Sequence, residues 1–139
     1  MGTRSTIALE FADGTVEQVY CHWDGYLEGN GAMLLQHYMD PFKVKQLLAL
    51  GGFSSLEASV KDTQKTAYHS ARGEELMINK FKDFEDYKAN HQYEEYDYIL
   101  RQVDGKAVWF VSDHDGAYVT LESAIMDEQD RIAQEETAE

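Results

Sequence analysis

The stretch Thr3-Arg4-Ser5-Thr6-Ile7-Ala8-Leu9-Glu10-Phe11-Ala12-Asp13-Gly14-Thr15-Val16-Glu17-Gln18-Val19-Tyr20-Cys21-His22-Trp23 decides the fold. From Thr3 to Phe11 the side chains alternate, with Ile7, Leu9 and Phe11 on one side and Ala8 and Glu10 on the other. That period belongs to a half-buried strand. Asp13-Gly14 supplies the positive φ a tight hairpin needs, and the chain returns as a second strand, Val16 to Trp23. On it Val19, Cys21 and Trp23 share one face, while Val16, Gln18, Tyr20 and His22 share the other, so that His22 projects away from the core if the first face is buried. An antiparallel hairpin therefore opens the sheet.

Downstream, Gly25 to Gly31 reads as a loop, and Ala32 to Met39 as a short helix with Leu34, Leu35 and Tyr38 on one stripe. Asp40-Pro41 restarts the chain as a second helix to Leu50, because Asp accepts from free amides and Pro fits the first helical position. Val44, Leu47 and Leu48 form its buried stripe, and Gly51-Gly52 ends it. Phe53 to Gly73 reads mainly as loop with one short strand near Thr66 to Ser70, and Glu75 to Asn79 as another strand. Asp83 to Asn90 reads as a helix turning Phe84 and Tyr87 inward. Tyr96 to Val103, Ala107 to Ser112 and Tyr118-Val119 read as a three-strand meander, turned at Asp104-Gly105 and at Asp113-His114-Asp115-Gly116. Thr120 caps a final helix to about Glu135, with a frayed acidic tail over residues 135–139. The expected class is α+β in one domain: a mostly antiparallel sheet, hairpin plus meander, with helices on one face.

Composition narrows the function classes. The 139 residues hold 12 Lys and Arg against 26 Asp and Glu, a formal charge of −14. The excess is steepest in residues 101–139, with 10 acidic and 3 basic side chains. Phosphate-mediated nucleic-acid binding needs clustered cations and is not expected. An acidic exterior serves solubility, and it also suits a basic protein partner. The single cysteine, Cys21, forms no internal disulfide and reads as a small buried side chain. No apolar run has signal-peptide or membrane-span character, so the expectation is a cytoplasmic protein without a membrane partner.

Two segments carry a resemblance. Gly2-Thr3-Arg4-Ser5-Thr6-Ile7-Ala8 with Tyr20-Cys21-His22-Trp23-Asp24-Gly25-Tyr26 resembles the opening of small accessory proteins encoded by tailed bacteriophages and prophages. Lys45-Gln46-Leu47-Leu48-Ala49-Leu50-Gly51-Gly52-Phe53-Ser54-Ser55-Leu56 is similar to a later segment of the same proteins, as is Arg72-Gly73-Glu74. The resemblance implies a setting, the cytoplasm of a bacterial host, and action on host or defence machinery. It brings no activity, cofactor or catalytic residue with it.

Four groupings carry candidate chemistry. His22 and Asp24, two apart on an extended strand, face one way and can share a divalent metal or act as an acid–base pair. With Trp23 and Tyr26 they also form a contact surface, and the competing reading makes Asp24 a turn-former beside Gly25. Asp113, His114 and Asp115 offer oxygen and nitrogen ligands at a hairpin tip, where turn chemistry explains them as simply. His69, Arg72 and Glu74 can clamp a phosphate or carboxylate, unless Arg72 merely pairs with Glu74. The runs Phe81 to Tyr87 and Tyr93 to Tyr98 mix rings with acids, and alternation places the rings inward and the acids outward. Phosphate-loop, nucleophile-elbow, paired Cys-x-x-Cys and His-Glu-x-x-His motifs are absent from the sequence. The expected function is a non-enzymatic accessory protein binding a host or defence protein. A small metal- or nucleotide-binding protein or hydrolase on the His22/Asp24 loop is the alternative, and a structural homodimer a third reading.

Overall fold

A computed structural model describes residues 3–91, 93–112 and 117–137. Its six-stranded sheet has the order β3-β2-β1-β4-β5-β6. Strands β1 (Ser5–Glu10) and β2 (Val16–Cys21) form the expected hairpin, with Ile7 opposite Val19. The turn holds because Asp13 Oδ1 accepts from Thr15 N at 3.0 Å while Gly14 takes φ +92°. Strands β4 (Tyr96–Val103), β5 (Lys106–Ser112) and β6 (Tyr118–Thr120) form the meander. The turn expected at Asp113 to Gly116 lies outside the described residues.

Hairpin and meander join through a parallel pairing of β1 with β4, which puts Thr6 beside Asp97. A parallel pair needs a long crossover, and residues 11–95 supply it. Within it lie α1 (Ala32–His37), α2 (Pro41–Leu48), α3 (Val60–Gln64), α4 (Tyr68–Arg72), β3 (Asn79–Phe81) and α5 (Phe84–Asn90). Asp40 accepts from Phe42 N at the start of α2, with Pro41 in the first turn, as the dipeptide requires. Asp83 does the same for α5 by accepting from Asp86 N at 2.8 Å. The last helix, α6 (Leu121–Thr137), runs on past Glu135 where a frayed tail was expected. Ala138 and Glu139 lie outside the described residues.

The main core lies on the face predicted for it. Ile7, Leu9, Val19, Cys21, Tyr98, Leu100, Trp109 and Val111 pack under Leu34, Val44, Leu47, Leu48 and Leu121 from the helices. Trp109 buries its ring and donates Nε1–H to Tyr38 O at 2.9 Å, so the indole nitrogen is not left stranded in the core. Each such aliphatic side chain contributes about 1.5–3 kcal/mol by leaving water.

Several expectations fail for physical reasons. The helices do not all share one face: α5 covers the other side, packing Phe84 and Tyr87 against Ala8, Val16, Ile99 and Phe110. Ala8, Val16 and Ile99 form a second apolar stripe, on the side where alternation had placed Ala8 and Val16 away from the core. Residues 66–70 are not a strand; Tyr68–Arg72 forms α4 and stops at Gly73, φ +70°. The loop expected around Val60 is α3, capped by Ser59, whose Oγ accepts from Asp62 N. The strand expected at 75–79 lies later, at Asn79–Phe81. No helix among the described residues is long and apolar enough to cross a membrane.

Candidate functional site

The loop from His22 to Gly31 is held by the core beneath it. Strand β2 ends at Cys21, two residues short of the expected Trp23, because the chain peels towards Phe53: His22 N donates to Phe53 O at 3.2 Å and Trp23 N to Ser54 O at 2.9 Å. Asp24 then takes φ +59°, the left-handed region a short polar residue tolerates. The extended geometry that would set His22 and Asp24 on one face is thus broken between them. Gly25 N donates to Thr3 O at 2.8 Å, and the buried Tyr98 hydroxyl donates to Gly25 O at 2.6 Å. Leu27–Gly31 closes as a single π-helical turn, with Asn30 N on Asp24 O at 2.7 Å. Asn30, itself buried, donates Nδ2–H to Trp23 O at 3.0 Å.

Two glycines are fixed by space. A Cβ on Gly25 would sit 2.7 Å from both Ser5 Cβ and Thr3 O, and one on Gly29 2.4 Å from Asp24 O. Against this rigid backbone the aromatic side chains point out: Trp23 is 43% exposed and Tyr26 45%. His22 meets Trp23 edge-on at 4.6 Å, and its Nδ1 shares a 2.7 Å hydrogen bond with the Tyr20 hydroxyl. Beneath them burial pushes the Cys21 thiol up to about 11.

The other predicted side chains do not join this loop as a single site. Phe53 bridges Cys21 and Ala67, so α4 starts beside the end of β2. His69 turns away to finish its own helix, donating Nδ1–H to Glu74 O at 2.7 Å. Arg72 lies 3.8 Å from Glu74 and 5.2 Å from the centre of the Tyr68 ring, an exposed pair of small energetic worth. Among the described residues no three His, Cys, Asp or Glu side chains gather as a metal site. The ligand candidates Asp113, His114 and Asp115 lie outside the described residues.

A polar cluster that the sequence reading missed crosses the α5 face of the sheet. Register aligns Tyr20, Thr6, Asp97, Ser112 and Tyr118 on β2, β1, β4, β5 and β6. Asp97 is 1% exposed, which corrects the expectation that the acids of this run point outward. Its carboxylate accepts from Thr6 Oγ1 at 2.6 Å and from Glu94 N at 3.2 Å. Burial nevertheless raises its pKa above the usual carboxylate value, opposed by the Thr6 hydrogen bond and by His91.

His91, 4% exposed, follows α5 and closes the row from above. Its ring lies between Tyr87 at 4.3 Å and Tyr93 at 4.0 Å. Asn79 donates to Gln18 Oε1, and Gln18 Nε2–H donates to Thr6 Oγ1 at 2.9 Å and faces His91 Nδ1 at 3.3 Å. On its other side, His91 Nε2 lies 2.9 Å from the Tyr118 hydroxyl. Burial pushes that hydroxyl up to about 12. Hydrogen bonds thus converge on Asp97 from Thr6 and Ser112 and tie β1, β4 and β5 together under α5. The available signal was Asp97 between Tyr96 and Tyr98, on a strand with apolar residues on both faces.

The aromatic loop borders open space. One cavity of about 70 Å³ lies among Tyr26, Leu27, Glu28, Tyr96 and Glu128. A second of about 210 Å³ adjoins it through Leu27, Tyr96 and Glu128, and is floored by Val111, Val119 and Ala124. Tyr26 of the predicted surface lines the smaller cavity, whose walls are aromatic and acidic. Comparison with protein-family models, with curated proteins and with solved structures gives no match to this chain.

Proposed function

We propose that the chain works by contact rather than by chemistry: a phage-encoded accessory protein that binds a host or defence protein and inhibits or redirects it. The observation that carries this reading is the loop at Trp23–Tyr26. Hydrogen bonds donated by Asn30 and Tyr98, and one that the Thr3 carbonyl accepts from Gly25 N, fix its backbone, while its two large rings stay half in solvent. Displaying aromatic side chains on a pre-ordered backbone lowers the entropic cost of association, and such rings dominate binding energies in interfaces. The carboxylates of Asp24 and Glu28 and the charge of −14 favour a basic partner face and speed its encounter. The setting comes from the resemblance of Gly2–Ala8 and Tyr20–Tyr26 to phage accessory proteins.

The test is affinity capture from bacterial lysate, with the wild-type chain and a Trp23→Ala plus Tyr26→Ala variant as baits. A specific protein retained by the first and lost by the second supports the reading. Equal retention by both baits, or no specific protein at all, refutes it.

A further inference from the structure

We propose that the two adjoining cavities beside this loop receive a basic linear segment of the partner, its Lys or Arg head entering the smaller and the aliphatic side chain beside it the larger. This rests on the reading of the chain as a protein-binding module and adds the chemistry of what it binds. The smaller cavity, about 70 Å³, takes only the head of a side chain, and its walls select a cation. The Tyr26 and Tyr96 rings offer π-faces and Glu28 offers a carboxylate, while that of Glu128 is shared with Arg131. Burial first, then Glu128 and Glu95, raise the pKa of the Tyr96 phenol, with Arg131 opposing them.

The larger cavity, about 210 Å³, is apolar over Leu27, Val111, Val119 and Ala124, with Glu95 and Glu128 at its rim. Along α6, Glu122, Asp127, Glu128, Asp130 and Glu135 stand against Arg131 alone, and Arg131 is already held by Glu128 and Glu135. Of the carboxylates that line the two cavities, Glu128 is thus shared with Arg131, while Glu28 and Glu95 make no ion pair among the described residues; an anionic segment would meet their charge unopposed, and a basic one neutralises it. The walls are also set in advance. Leu121 of α6 packs so tightly on Gly31 that a Cβ there would sit 3.2 Å from Leu121 Cδ1.

The experiment is an NMR titration of the isotope-labelled full chain with a capped peptide carrying repeated Arg-Leu pairs, beside a matched peptide with Glu-Leu pairs. Saturable shifts at the amides of Leu27, Tyr96, Val119 and Ala124 are expected for the first peptide, with binding at least about tenfold weaker for the second. Glu28→Lys plus Glu95→Lys, both at exposed side chains, is expected to weaken the Arg-Leu peptide by about tenfold or more with the remaining spectrum unchanged. Equal binding of both peptides, shifts centred elsewhere, or no saturation at millimolar peptide overturns the proposal. If the peptide fails but Trp23→Ala plus Tyr26→Ala still abolishes lysate capture, the groove assignment falls while the binding function stands.

Discussion

Replacing Tyr98 with phenylalanine removes one oxygen and keeps the ring that fills the main core. The hydroxyl is buried and donates to Gly25 O at 2.6 Å, beneath the turn that presents Trp23 and Tyr26. Two effects add. The lost neutral hydrogen bond removes about 0.5–1.5 kcal/mol, and a carbonyl left dry without a partner costs about 1–3 kcal/mol. Since the second figure includes much of the first, the expected loss is about 2 kcal/mol, or roughly thirtyfold in the folding equilibrium. Urea unfolding measures it, with an unchanged slope as the check that only the native state has shifted.

The loop should loosen as well as weaken. In a Trp109→Phe background the fluorescence comes from Trp23 alone, and Tyr98→Phe should raise its quenching by acrylamide. A destabilisation below about 0.5 kcal/mol, with Trp23 quenched as before, would show that the turn does not depend on this hydroxyl. The claim of a pre-ordered aromatic surface would fall with it.

Other consequences are as direct. Asp97 carries a folded pKa raised above 3.8, so its contribution favours folding while it is protonated and is lost as pH rises through the folded value. Relative to Asp97→Asn, the wild-type chain should lose stability on going upward from about pH 4, as followed by denaturant titration at several pH values; a flat or opposite difference refutes the raised pKa. The buried thiol of Cys21, pushed up to about 11, should resist Ellman's reagent near pH 8 in the native protein and give one equivalent once unfolded; prompt native labelling would contradict its burial. Asp40→Ala should cost about 1 kcal/mol by removing the acceptor for Phe42 N at the start of α2, and an unchanged urea midpoint would show that Pro41 alone sets that start. Gly29→Ala places a methyl 2.4 Å from Asp24 O and should cost about 1–3 kcal/mol or more, with chemical-shift changes centred on Asp24 to Gly31; a silent substitution would mean the π-helical turn is misplaced.

How much of the fold the sequence disclosed depends on the range of the forces involved. The hairpin at Asp13-Gly14, the cap at Asp40-Pro41 and the strands around Asp104-Gly105 were legible because each depends on neighbours a few residues apart. The parallel pairing of β1 with β4 was not, since nothing local in Thr6 or Asp97 reports that they will meet. That one pairing also hides the polar row, whose members are scattered from Thr6 to Tyr118. Alternation in β1 and β2 placed Ile7 and Val19 correctly but treated Ala8 and Val16 as the wet side, because a second covering helix cannot be read from a strand's own period. At the candidate site, Trp23 was read on the same face as Val19 and Cys21 but is 43% exposed, because the strand ends before it, and the His22–Asp24 geometry failed for the same reason.

The place of β1 in the sheet shapes how the chain is made. It sits between β2 and β4, yet only β2 comes soon after it. At about 5–20 residues per second of synthesis, the hairpin waits roughly 5–15 s for the second neighbour of β1 to leave the ribosome. Throughout that interval one rim of Ser5–Glu10 keeps its amides and carbonyls unclaimed, an invitation to any extended chain nearby. Slow translation or crowding of nascent chains should therefore harm its yield more than a change in the finished surface does.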